Sequence, residues 1–129
     1  MKLVAAGLSD VGRERDHNED SYAVEEALGL FIVADGMGGH QAGEVASALA
    51  IATVVEYVQA HPEGDRLMVL ADAARLANTR VIEAGSKNRK HKNMGTTLVA
   101  MVRNGPEMGI AHVGDSRCYR FRAGALERM

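Results

Sequence analysis

An α+β fold built on an antiparallel or mixed sheet is what this chain of 129 residues predicts. Three observations carry that expectation. Apolar and β-branched segments gather in the first and last thirds, two alanine-rich stretches of helical period lie between them, and polar or glycine-containing turns separate the segments. A hydrophobic content of 47% suits one globular domain with a real core.

Taken in order, "LVAAGLS" reads as a first strand, "SYAVEE" alternates loosely as a second, and "GLFIVAD" is a compact apolar run of the kind that forms a buried third. "GRERDHNED", between the first two, is too polar to be more than a loop or strand end. From about Gln41 to Ala60 the period becomes helical, with Val45, Leu49, Ala52 and Val55 as its stripe and His61 and Pro62 as its end. A second helix starts near Asp65, an N-cap residue type. Its stripe is Leu67, Leu70, Ala71, Ala74, Ala77 and Val81, and Gly85 is the expected stop. The segment "SKNRKHKNM" concentrates Lys87, Arg89, Lys90, His91 and Lys92, but no aromatic residue is interleaved for base stacking, so a solvated basic loop is the better reading. "GTTLVAMV" and "MGIAHVG" read as strands, and "SRCYRFRAG" as a half-buried one, with a tight turn at Gly114, Asp115 and Ser116.

Charge narrows the function classes. Fifteen basic residues against seventeen acidic ones leave a net charge of −2, so no global field points to nucleic acid or an anionic membrane. Cys118 is the only cysteine, which leaves no internal disulfide and no cysteine-based zinc site and suits a reducing compartment. The apolar run in "MKLVAAGLSD" is too short for a signal-peptide core or a membrane span. The expectation is a soluble, cytoplasmic protein with neither membrane nor nucleic acid as partner.

Two stretches hold the chemistry. In "FIVADGMGGH" an apolar strand ends on Asp35, at a rim where a rigid scaffold can hold a carboxylate beside solvent. Gly36 can bring its carbonyl near an ion because no Cβ obstructs it, and Gly38 and Gly39 permit unusual backbone. Alone, an Asp-Gly pair after a strand is equally a common turn. In "RERDHNEDS", Glu19 and Asp20 open the second strand, and a meander of short strands could set Asp20 beside Asp35. Two carboxylates about 4 Å apart repel by roughly 4 kcal/mol at an effective dielectric of 20, and a cation removes that cost. Oxygen-only donors suit hard ions such as Mg²⁺ or Mn²⁺. Arg15, five residues before Asp20, offers a planar two-pronged donor for phosphate oxygens; an exposed loop arginine is the plainer alternative, and Arg13 fills that part equally well.

Four stretches, "SDVGRERDHNEDS", "VADGMGGHQAGEVAS", "MGTTLVA" and "AHVGDSRCYR", resemble in this order the metal-dependent serine/threonine protein phosphatases of type 2C, the prokaryotic branch in particular. The resemblance implies a four-layer fold, two antiparallel sheets forming a central sandwich with helices outside. It also implies a binuclear Mn²⁺ or Mg²⁺ centre, with a third, weaker ion in some members. On this resemblance Asp35 matches the bridging carboxylate, Gly36 the carbonyl ligand, Glu19 and Asp20 the supporting acidic pair, Arg15 the phosphate-holding arginine, and Asp115 the aspartate of the third site. Met37 stands where animal members carry a histidine proposed as general acid; His40, or a metal-bound water, is left to protonate the leaving group. The reaction implied is hydrolysis of phosphoserine or phosphothreonine in proteins that Ser/Thr kinases have modified. The family domain is close to twice this length, so residues 1–129 are read as a single phosphatase-like domain truncated at its C-terminus, incomplete in sheet and ligands unless a second chain completes it. A catalytically deficient fragment, or a non-enzymatic module that binds metal or phosphate, is the alternative.

Overall fold

The computed structural model describes residues 2–39 and 41–129. It is α+β, with antiparallel sheets and two helices. Strand β1 (Asp20–Glu25) returns through a 3-10 turn into β2 (Leu30–Met37). Helix α1 (Ala42–Ala60) and helix α2 (Arg66–Lys87) follow. The chain then re-enters the sheet through β3 (Gly95–Thr96), β4 (Leu98–Asn104) and β5 (Glu107–Val113), and closes on a hairpin of β6 (Tyr119–Arg122) and β7 (Ala125–Arg128). The main sheet runs β1-β2-β4-β5, every pair antiparallel, with β3 bonded to the far end of β2.

Alternation along the strands decides which side faces the helices. Leu30, Ile32 and Ala34 of β2 and Leu98, Ala100 and Val102 of β4 are buried against α1 and α2, where Ala46, Ala50, Val54, Val58, Leu70, Ala73 and Ala77 meet them. The opposite face, carrying Tyr22, Val24, Phe31, Val33, Val99 and Met101, borders an open groove of about 710 Å³. Residues 3–10 run along that groove. They make no strand, which corrects the first sequence expectation: "LVAAGLS" has the composition of a strand, but it joins no ladder, leaving Val4 and Leu8 exposed and only the Gly7 backbone close against the Tyr22 ring.

Three further expectations shift. The buried face of α1 is Ala46, Ala50, Val54 and Val58, whereas Val45 and Ala52 of the expected stripe are exposed. Apolar residues surround this helix on nearly all sides, so spacing alone did not select its face. Helix α2 starts as expected, with the Asp65 carboxylate accepting from the Met68 N–H at 3.0 Å, but it continues two residues past Gly85. Gly85 is instead a contact point, since a Cβ there would stand 3.1 Å from the His91 carbonyl oxygen. Finally, the chain after Arg122 turns at Ala123 and Gly124, both with positive φ as a tight two-residue hairpin requires, and adds β7, which the sequence reading lacked.

Candidate metal and phosphate site

The last rung of the β1–β2 ladder puts Asp20 directly opposite Asp35. Directly opposed residues on one face hold their Cβ atoms about 4.5–5.5 Å apart. Both carboxylates project on the groove side, away from the helices, because each alternates with a helix-facing neighbour, Ser21 and Ala34. The Asp20 carboxyl is raised above its ordinary 3.8. Partial burial contributes most, followed by a hydrogen bond with Asp35, the Asp35 charge and, more weakly, the Glu19 charge, while the Arg15 guanidinium opposes them. Asp35, Glu19 and Arg15 therefore each lie within electrostatic reach of Asp20.

Asp35 is fixed by its backbone. Its N–H donates to the Thr97 hydroxyl at 3.0 Å, and its carbonyl accepts from the Thr97 N–H at 2.9 Å. Glu19 is fixed likewise, its carbonyl accepting from the Gly36 N–H at 3.0 Å and from the Ser47 hydroxyl at 2.8 Å. Ser47 is fully buried and lies 2.8 Å from the Ser21 hydroxyl, so β1, the end of β2 and the first turns of α1 are tied at one point. The Glu19 side chain turns under α1. Its Oε2 is buried without a hydrogen-bond partner, against Gly43.

Two glycines make this convergence possible. A Cβ on Gly36 would lie 1.9 Å from the Gly43 carbonyl oxygen, and one on Gly43 would lie 1.7 Å from Glu19 Oε2. Gly36 is thus required by the helix pressed against it, a reason distinct from the carbonyl access expected of it.

Asp115 is exposed on the bend after β5 and meets Asp35 only through an intermediary: Ser116 Oγ is 2.5 Å from Thr97 Oγ1. Arg15 is exposed beside Asp20. His40, the candidate proton donor, lies outside the described residues. Among the described residues no three His, Cys, Asp or Glu side chains come close enough together to hold a metal ion. What this chain does bring together fits a hard cation: two directly opposed carboxylates, and near them a carboxylate oxygen buried with no donor. Sequence reasoning missed Thr97, Ser47, Gly43 and Ser116. A hydroxyl inside the apolar run "VASALA" and another between two strand segments in "GTTLVA" were the available signals.

The family profile Protein phosphatase 2C matches residues 12–129. The serine/threonine protein phosphatase PstP of Mycobacterium tuberculosis is 42% identical over 129 residues, covering 100% of this chain and 25% of that protein. The serine/threonine phosphatase stp of Listeria monocytogenes is 35% identical over 131 residues, covering 94% of this chain and 51% of its own length. The crystal structure of the PstP catalytic domain in complex with two manganese ions superposes with a TM-score of 0.85 at 41% identity, over 95% of this chain and 52% of that one. This chain therefore spans a quarter to about half of the relatives it matches. None of its helices, over the described residues, is long and apolar enough to cross a membrane.

Proposed function

Because the chain belongs to the protein phosphatase 2C family, we propose that it serves hydrolysis of phosphoserine and phosphothreonine in cytoplasmic proteins modified by Ser/Thr kinases, at a centre of two Mn²⁺ or Mg²⁺ ions. The observation that carries this reading is the facing pair Asp20 and Asp35, set by strand register, with the Asp20 carboxyl raised by burial and by Asp35. In it, Asp35 would be the principal carboxylate holding the two ions, with Asp20, Glu19 and the Gly36 carbonyl in support, and Asp115 would serve a third, weaker position. When bound, such ions supply a water whose pKa falls towards about 7 and positive charge for the phosphoryl oxygens. Arg15, exposed beside Asp20, orients and neutralises those oxygens, so that binding energy is spent on alignment. Thr97 and Ser47 keep the two carboxylate-bearing segments still, and His40 is the candidate donor to the leaving alkoxide.

A second reading is a module that binds metal or phosphate without turnover, using the same Asp20–Asp35 pair and the exposed Arg15 beside it. Hydrolysis of a phosphothreonine peptide with Mn²⁺ separates the two. The chain should release phosphate at a rate that Asp35→Asn lowers by roughly a hundredfold; equal rates would favour the binding module.

A further inference from the structure

Thr97 is buried at the break between β3 and β4, and the bend that carries Asp115 wraps around its side chain. Its methyl group packs against Gly114, where a Cβ would stand 2.8 Å away and where φ is +90°. Its hydroxyl lies 2.5 Å from Ser116 Oγ. Asp115 is the residue between these two contacts. On its other side the same hydroxyl accepts the Asp35 N–H at 3.0 Å, and the Thr97 N–H returns a bond of 2.9 Å to the Asp35 carbonyl. With one lone pair taken by that N–H, Thr97 Oγ1 retains a proton and a second lone pair, and Ser116 Oγ can accept the one or donate to the other. A single side chain thus sets both the strand end bearing Asp35 and the loop bearing Asp115, two segments eighty residues apart in sequence.

We propose that Thr97 and Ser116 form a hydroxyl clamp that positions Asp115 relative to Asp35, so that an ion held at Asp35 and the carboxylate of Asp115 are coupled through this pair. The inference rests on the reading of Asp20 and Asp35 as cation ligands. Thr97 and Ser116 touch neither ion nor substrate in it; they are positioning residues. Outer groups that orient metal ligands commonly change metal affinity by about 10–100-fold when removed, and a hydroxyl shared by two segments should do so through both.

The test combines two measurements on the full chain. Calorimetric titration with Mn²⁺ should show Thr97→Val weakening affinity about tenfold, Thr97→Ser recovering most of it, and Ser116→Ala falling between. In an Asp115→Asn background the Thr97→Val effect should shrink to less than about threefold, the signature of coupling through Asp115. An undiminished effect in that background, or unchanged affinity in Thr97→Val together with a lowered melting temperature, would reduce Thr97 to a stability residue and overturn the clamp. Amide NMR of the metal-free chain gives the second measurement: Thr97→Val should shift the Asp115 and Ser116 resonances and speed exchange of the Asp35 amide. Unmoved resonances overturn the proposal whatever Mn²⁺ does. Mn²⁺ binding no stronger than in Asp20→Asn, with the resonances moved, would instead retire the cation reading and leave the clamp as a structural link.

Discussion

Asp20 shows how burial and a facing carboxylate disfavour the ionised form of an acid. Its carboxyl is raised by burial and by Asp35, so the folded chain holds a proton more tightly than the unfolded one. The sign follows from that. Asp20 favours the fold at pH below its ordinary 3.8, and this contribution is lost as pH rises from there through its raised folded value. Without metal, Asp20→Asn should stabilise the chain at neutral pH by up to about 1 kcal/mol, the exposed setting screening the rest. It should also abolish the gain in melting temperature that Mn²⁺ gives the native chain. Thermal melts at pH 4 and pH 7, with and without Mn²⁺, check both; a destabilised variant at neutral pH would contradict the repulsion. Asp20 and Asp35 were legible because acidic residues at the ends of apolar strands stand out against their neighbours. Thr97 and Ser47 were not, since a lone hydroxyl in an apolar run carries no mark of the distant backbone group it will bond.

Among the elements, the contact between the end of β2 and the first turn of α1 is the tightest constraint on the site. Gly36 faces backbone, and backbone cannot yield cheaply, whereas Gly39 has nothing within 4 Å of its Cβ direction. Gly36→Ala should therefore cost at least about 3 kcal/mol and Gly39→Ala no more than about 0.5 kcal/mol. Urea midpoints compare them, and similar losses would show that the contact is soft in solution. The order of strands and helices was readable here from period and turn residues, and so was the Asp65 cap. The face of α1 was not, because its alanines and valines occupy both sides and only the sheet beneath it chooses. Nor was the fate of residues 3–9, since pairing depends on a free strand edge that no local pattern reports.

At the scale of the whole molecule, the core and the Asp20–Asp35 pair lie on opposite sides of one sheet. The helix side holds the core, while the groove side leaves Val33 52% exposed and Tyr22 44% exposed. Leu70→Ala should cost about 2–5 kcal/mol, as large-to-small changes in a packed core do. Val33→Ala should cost less than about 1 kcal/mol. Denaturant unfolding of the two variants measures the difference; comparable losses would mean that the groove side is covered in solution. Both the order of periodic segments and the four segments of family resemblance pointed to the α+β class with antiparallel sheets that the chain adopts. Pairing Asp20 with Asp35 on the final rung also bears on how the chain reaches its fold. Side chains alternate between faces, so sliding β1 by one place would turn Asp20 under α1 and present Ser21 in its stead. A divalent ion that needs both carboxylates rewards only the correctly threaded hairpin and drains misaligned chains by mass action. An ion bound there would proofread folding as well as serve the proposed chemistry.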